Sequence, residues 1–329
     1  MSQVRDLFSA VKRLIFVCLL PGTSGNGEQV FETYCTEHNM QKFYSIADHI
    51  IALRAADDSP VWKDCGNYAP FEASSSPAPV CSLEIRDSLD IPEAETVYEV
   101  REKGYPRLCL SHFSGGWVVE MAPESELPTV AHLLASEDFS SGTLALVRNG
   151  KGDLRFSVDN ALMLMFAIST ATLGTLEIHS SVTVCDGRGY AFLGKSGTGK
   201  STHSRLWKEN IPGSKLLNDD NPVIRIKDGE ARIYGSPWSG KTPCYKAAGA
   251  PLGAVVRISQ NPENSIRRLS PVEAYASMYS SSSAFREIRG SADGIHSTLV
   301  QLIGLVPMYR LECRPDREAA ELCHNTVCR

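Results

Sequence analysis

The sequence lacks the cysteine pattern of a metal or disulfide scaffold. Its ten cysteines among 329 residues are widely and irregularly spaced, and none forms a CxxC pair. Ten is too few for a disulfide-stapled domain of this length, and the spacing counts against a zinc finger type of site. We therefore expect reduced thiols in a cytoplasmic protein.

The sequence also lacks a basic face and a long apolar run. The net charge is −5, and no run of Lys and Arg is visible, which argues against a nucleic-acid partner. The apolar stretch from Leu14 to Leu20 follows Lys12 and Arg13 as in a signal peptide. However, it is far too short to span a bilayer, and Asp6 precedes it. We expect neither a membrane partner nor secretion.

What is present is the composition of a globular protein with room for two domains. Hydrophobic residues make up 43% and charged residues 22%, close to the averages for folded domains. Alternating apolar residues within Ala94–Pro123 and Ser141–Val147 predict antiparallel strands. We predict that residues 1–39 form a loosely attached extension, for which disorder is one alternative. A β-rich domain is predicted at residues 40–155.

The second half has a different pattern, which predicts an α/β domain at residues 156–329. An apolar segment, Asn160–Thr175, predicts a buried helix, and from Leu176 onward strands, turns and a glycine-rich loop alternate. Lys227–Gly229 has the composition of a hairpin turn. Ser270 followed by Pro271 predicts the start of a helix. The expected fold is α/β, with a smaller β-rich domain in front of a mixed-sheet domain.

The segment "GKSGTGKS", Gly194 to Ser201, carries the clearest chemical signal. It fits the phosphate-loop pattern GxxxxGK[ST] in full, between an apolar strand and a helical run. Its glycines let backbone N–H groups converge on phosphate oxygens, and the helix adds its positive end. We expect Lys200 to reach the β/γ-phosphates of ATP and the Ser201 hydroxyl to bind Mg²⁺. The predicted nucleotide-binding residues are Gly194, Lys195, Ser196, Gly197, Thr198, Gly199, Lys200, Ser201 and Thr202.

A pair of acidic residues follows the glycine-rich loop, at the end of the next apolar run. Asp219 and Asp220 close an apolar run about twenty residues after Lys200. A phosphoryl-transfer site needs such acids, one to hold the metal ion and one to orient or deprotonate the acceptor. Adjacent side chains of a strand point to opposite faces, but both can turn toward one site at a strand end.

These motifs together resemble the nucleotide-binding core of HPr kinase/phosphorylase and of ATP-dependent phosphoenolpyruvate carboxykinase. The resemblance covers residues 175–325 and depends on Ile178-His179, the Gly194–Ser201 loop and Asp219-Asp220. It implies a phosphate-loop fold of this type. It also implies that the two aspartates divide metal binding and acceptor activation, with His179 beside the transferred phosphoryl group.

The chain departs from the HPr kinase pattern downstream. It has Arg232-Ile233-Tyr234-Gly235 where HPr kinases carry a Glu-Ile-Arg-Gly type of segment. The missing acid counts against HPr as the acceptor and against the reverse phosphorolysis. The following "GSPWSGK" is similar to a segment of HPr-kinase-like proteins from peptide-modification gene clusters. In it, Lys241 is a candidate phosphate or acceptor contact, and Trp238 is expected to pack.

The favoured function is therefore Mg²⁺/ATP-dependent phosphoryl transfer to a hydroxyl, with a serine of a peptide or small protein as acceptor. Ser201 and Asp219 are the expected metal ligands. Asp220, His179 and Lys200 are the expected catalytic residues. Two alternatives stay open: a small-molecule kinase or carboxykinase-like enzyme, and a nucleotide-binding sensor without transfer activity. The sequence also leaves a homo-oligomer open.

Overall fold

The computed structural model describes residues 39–75, 78–103, 106–148, 150–240, 242–283, 285 and 287–328. The predicted extension at residues 1–39 lies outside this part of the chain, apart from Asn39 at the start of the first strand. Lys241 is also outside the described residues. Within them, the protein is a mixed α/β structure with two large mixed sheets.

The first sheet contains nine strands in the order β3-β1-β2-β4-β9-β8-β7-β6-β5. The β2–β4 and β4–β9 pairs are parallel, and the other pairs are antiparallel. The strands are β1 (Asn39–Ile46), β2 (His49–Ala56), β3 (Glu72–Ala73), β4 (Cys81–Ile85), β5 (Glu95–Val100), β6 (Arg107–Phe113), β7 (Gly116–Ala122), β8 (Ala131–Ala135) and β9 (Ser141–Leu146).

A long helix covers one face of this sheet. A short helix, α1 (Val61–Asp64), precedes it, and α2 (Asp153–Ser169) packs its apolar residues against β4 and β9. The helix predicted over 160–175 thus begins and ends earlier. Residues 153–159 alternate polar and apolar side chains, which is not the helical period. A 3₁₀ turn leads from the end of the helix to Gly174 at φ 71°. Leu162, Met165 and Phe166 are completely buried.

The second sheet follows the order β10-β14-β15-β16-β12-β11-β13, with β18 joined to β16 and β17 to β18. The β12–β16 and β16–β18 pairs are parallel. The strands are β10 (Thr175–Glu177), β11 (Ser180–Cys185), β12 (Arg188–Leu193), β13 (Lys215–Asp220), β14 (Val223–Lys227), β15 (Glu230–Tyr234), β16 (Gly249–Gln260), β17 (Ser265–Arg268) and β18 (Met308–Cys313).

Four helices accompany the second sheet: α3 (Lys200–Asn210), α4 (Pro271–Tyr279), α5 (Arg289–Leu305) and α6 (Arg317–Val327). The predicted start of α4 is confirmed. Ser270 accepts from the Glu273 backbone N–H while the Glu273 side chain accepts from the Ser270 N–H, which is a capping box. The predicted β14–β15 hairpin is confirmed too, with Asp228 and Gly229 both at positive φ.

The predicted domain boundary at residues 155/156 falls inside α2, whose apolar residues belong to the core of the first sheet. Contacts also join the two halves, since the Trp238 indole N–H donates to the Tyr68 hydroxyl at 2.9 Å. Trp238 is buried and its ring lies 5.5 Å from that of Phe166, which confirms its expected packing role. Among the described residues the eight cysteines are free thiols, and no helix is long and apolar enough to cross a membrane.

Candidate functional site

The glycine-rich segment forms a loop between a buried strand and a helix. Strand β12 is almost entirely buried and ends at Leu193, and α3 begins at Lys200. Gly197 and Gly199 take φ of 80° and 103°, which side chains disfavour. A Cβ at Gly194 would lie 2.4 Å from Thr198 Oγ1 and 3.1 Å from the Ile258 carbonyl oxygen. The chain thus requires glycine at this close approach.

The loop is exposed where a phosphate would approach it. Lys195, Ser196 and Gly197 are exposed, and the Thr198 hydroxyl closes the turn by donating to the Lys195 carbonyl at 2.8 Å. The first backbone N–H groups of α3 have no partner within the helix and carry its positive end. Thr202 lies half-buried in this first turn. The arrangement suits an anion.

Lys200 turns back along the loop from the first position of α3. Its Nζ donates to the Gly194 carbonyl at 3.1 Å and lies 3.0 Å from Nε2 of His179. Burial lowers the pKa of Lys200, while the charges of Asp220 and Asp219 raise it. The two carboxylates thus favour the charged ammonium that a phosphate contact needs.

His179 connects Lys200 to Asp220. Its Nδ1 lies 2.9 Å from Oδ1 of Asp220, and its backbone N–H donates to the Ser281 carbonyl at 2.6 Å. An ammonium can only donate, so Nε2 accepts from Lys200 in this arrangement. The imidazole proton then resides on Nδ1 and points at the carboxylate, which fixes both the tautomer and the ring orientation.

Ser201 and Asp219 form a second pair beside this chain. The Ser201 hydroxyl donates to Oδ1 of Asp219 at 2.9 Å, and Asp219 is buried at the end of β13. Both are oxygen donors, the kind of ligand that Mg²⁺ takes alongside phosphate oxygens. The donor set therefore fits Mg²⁺.

Asp220 ends β13 in an unusual backbone conformation. Its φ is 147°, a region that residues with a side chain rarely occupy. Ser180 and Ser239 pair with it from either side. Strained backbone of this kind clusters at functional sites, because surrounding contacts must hold it in place. Here it turns both aspartates of the strand end toward the glycine-rich loop.

The segment 236–240 wraps the end of β13, whereas the sequence predicted a site contact only for Lys241 just after it. The Gly240 N–H donates to the Asp219 carbonyl at 2.9 Å, and the Ser239 hydroxyl donates to it at 3.2 Å. Buried Asn218 donates to the Ser236 hydroxyl and the Trp238 carbonyl. A Cβ at Gly240 would lie 3.1 Å from the Asp220 carboxyl carbon.

Glu177 is the other neighbour that sequence reasoning missed. It is 3% exposed at the end of β10, two residues before His179, and its carbonyl accepts from the Ser283 N–H. Burial raises the pKa of its carboxyl to about 8. The Asp220 charge raises that pKa further, and both carboxyl oxygens are buried without a hydrogen-bond partner among the described residues. Glu177 thus carries its proton near neutral pH. A single acid in an apolar strand gave no sequence signal for this.

Comparison with known proteins adds a distant structural likeness. The chain is similar to the structure of the Hpr(Ser) kinase/phosphatase from Coxiella burnetii, with a TM-score of 0.28 and 12% sequence identity. The match covers 45% of this chain and 94% of the other. No family model matches the chain, and no curated protein matches it.

Proposed function

We propose that this protein transfers the γ-phosphoryl group of ATP to a hydroxyl group, with a serine of a peptide or small protein as acceptor. One observation carries the proposal. The chain Lys200–His179–Asp220 and the pair Ser201–Asp219 converge on one glycine-rich loop, with joining distances of 2.9 to 3.0 Å. A nucleotide-binding turn alone would not require a histidine and two aspartates at its mouth.

The loop and α3 would bind the phosphates. Backbone N–H groups from Gly194 to Ser201 and the positive end of α3 favour the β- and γ-phosphate oxygens. Lys200 Nζ, which donates to the Gly194 carbonyl at the start of the loop, would donate to the same oxygens. Ser201 and Asp219 would hold Mg²⁺, which neutralises the charge that develops on the transferred group.

Asp220 would act on the acceptor. His179 contacts its Oδ1, and the Asn221 side chain donates to Oδ2 at 3.2 Å. A carboxylate has further acceptor sites, so an incoming hydroxyl can donate to Asp220 and pass its proton there as the oxygen attacks phosphorus. His179, which donates from Nδ1, orients this carboxylate. The Lys200 ammonium would stabilise the negative charge on the transferred phosphoryl group.

The proposal includes three further statements. The protein groups with HPr-kinase-like proteins, its chain divides into a β-rich and a kinase-like domain, and it is located in the cytoplasm. The exposed loop and the half-exposed His179 and Asp220 leave room for a macromolecular acceptor. A small-molecule or carboxykinase-like acceptor and a non-catalytic sensor are the outcomes that the experiment must separate.

The test compares ATP binding and transfer in the full chain. Isothermal titration with Mg²⁺·ATP should show binding by the wild type and its loss in Lys200→Ala. Lys208→Ala, which removes an exposed lysine at the other end of α3, should bind like the wild type. Equal binding by the wild type and Lys200→Ala would reject the site.

Transfer is then followed with γ-labelled ATP. The acceptors offered are seryl peptides, a cell extract and its small-molecule fraction, analysed by mass spectrometry. Label on a serine supports the proposal. Label confined to a small molecule supports the second enzyme class. Binding without any transfer, in both Asp220→Asn and the wild type, supports the sensor.

A further inference from the structure

A second cluster of chemically active side chains lies away from the glycine-rich loop. Cys185 ends β11, Asp186 follows it in the turn, and His324 lies in α6. One ligand atom from each lies within 4.8 Å of the others. The sequence spacing gave no hint of this group, because Cys185 and His324 come from distant segments.

The fold brings these residues together through a tight turn and a packed helix. Asp186 and Gly187 take φ of 49° and 74°, so β11 and β12 join in a two-residue hairpin that points the turn at α6. Helix α6 packs on α3, and the His324 ring meets the buried Trp207 ring edge-on at 5.5 Å. The aromatic contact holds the imidazole in position beside the turn.

A second thiol, Cys328, lies near this group of donors but outside it. Cys328 follows α6 and is partly buried. Burial raises the pKa of its thiol, a hydrogen bond with Tyr190 lowers it, and the neighbouring Cys185 and Asp186 raise it further. Cys185 itself is buried, and its thiol makes one long contact, 3.9 Å, to the Pro212 carbonyl. Neither sulfur is in a disulfide.

This donor set has the chemistry of a thiophilic cation site. Zn²⁺ takes thiolate, imidazole and carboxylate ligands in a tetrahedron at about 2.0–2.3 Å, which places the ligand atoms roughly 3.5 Å apart. Donor atoms within 4.8 Å therefore need to close by only about 1 Å. Mg²⁺ and Ca²⁺ take oxygen ligands and would not select a thiolate and an imidazole.

We propose that Cys185, Asp186 and His324 form a binding site for Zn²⁺ or a similarly thiophilic divalent cation, with the fourth coordination position open to water. The site is distinct from the Ser201–Asp219 pair. Ser181 of β11 pairs with Asp219, and Cys185 lies four residues further along the strand, about 13 Å away. A cation here links the β11–β12 turn to α6 and so stabilises the hairpin that carries the glycine-rich loop.

The experiment is a Co²⁺ titration of the full chain after chelator treatment under reducing conditions, read by absorption. We expect a thiolate-to-cobalt charge-transfer band and intense visible bands of tetrahedral Co²⁺, both removed by one equivalent of Zn²⁺ and unaffected by excess Mg²⁺. Co²⁺ at the oxygen ligands of Ser201 and Asp219 gives no charge-transfer band. The readout is therefore independent of nucleotide binding and of the proposed kinase activity.

Variants decide the ligands. Cys185→Ser should abolish the charge-transfer intensity of its sulfur. His324→Gln and Asp186→Asn should each weaken Co²⁺ binding by at least about tenfold, since even outer-shell changes cost that much. Cys109→Ser, a buried thiol in β6 of the other sheet, is the matched control and should bind normally. Absence of the band in the wild type overturns the proposal, as does an unchanged affinity in the His324 and Asp186 variants. If Cys185→Ser misfolds, the affinities of His324→Gln and Asp186→Asn still test the proposal.

Discussion

His179 holds Asp220 through a 2.9 Å contact between Nδ1 and Oδ1, while its other ring nitrogen lies 3.0 Å from the Lys200 ammonium. The imidazole thus links the residue expected at the phosphates to the residue expected at the acceptor. A histidine placed only for packing would not bridge two charged groups of opposite sign. The arrangement makes each of the three side chains separately testable.

Replacing His179 by Ala should slow transfer without preventing nucleotide binding. The imidazole orients Asp220, and general acid–base assistance of this kind contributes roughly 10²-fold or more to kcat. We expect kcat to fall by about that factor with little change in the KM for ATP, as measured in steady-state assays with labelled ATP. His132→Gln, on the first sheet, is the control. A rise in KM alone would assign His179 to binding instead.

The two neighbouring aspartates should separate by function. Asp219→Asn weakens the oxygen pair with Ser201, so we expect the Mg²⁺ concentration for half-maximal activity to rise at least about tenfold. Asp220→Asn should bind Mg²⁺·ATP normally and lose transfer by 10²-fold or more. Mg²⁺ titrations of activity and calorimetric binding measure both. If Asp220→Asn raised the Mg²⁺ requirement and Asp219→Asn lost only transfer, then Asp220 would bind the metal ion and Asp219 would act on the acceptor.

Gly194 should tolerate no side chain. In Gly194→Ala the new Cβ meets Thr198 Oγ1 and the Ile258 carbonyl, which costs about 1–3 kcal/mol of local rearrangement. We expect ATP affinity to drop by about tenfold or more, since 1.4 kcal/mol is tenfold. Gly290→Ala meets no atom within 4 Å and should bind as the wild type does. Unchanged affinity in Gly194→Ala would mean that the loop does not contact the nucleotide in this conformation.

The buried Glu177 carboxyl should make the protein less stable as pH rises. A carboxylate in an ion pair has the opposite effect. Its pKa is about 8 in the folded protein and 4.5 ordinarily, so the folded state binds a proton that the unfolded state releases. The free energy of unfolding should therefore fall as pH rises from about 5 to 8, by a few kcal/mol at roughly 1.4 kcal/mol per pKa unit.

Glu177→Gln should remove most of that fall, because the amide stays neutral at every pH. Urea unfolding of the two proteins at pH 6 and pH 8.5 provides the comparison, with Glu230→Gln on the exposed β14–β15 hairpin as control. Parallel pH profiles for the wild type and Glu177→Gln would show that this carboxyl is ionised in the fold.

Local features of the protein could be predicted because their signals are local. The glycine-rich loop between an apolar strand and a helix, the Asp228-Gly229 hairpin and the helix start at Ser270-Pro271 each occupy a few consecutive residues. Turn and cap chemistry acts within such windows. The first two turns of α2 alternate polar and apolar residues and so lack the helical period, which is why the predicted start of that helix lies too late in the chain.

The sequence by itself determined the glycine-rich loop of Gly194 to Ser201 between a strand and a helix, since backbone freedom and a following helix are properties of that segment. Only the tertiary structure decided that His179 lies between Lys200 and Asp220, that Glu177 is buried behind them, and that Cys185 meets His324. These contacts join residues from different strands and helices. They depend on strand order and helix packing, and no short stretch of sequence specifies strand order or helix packing.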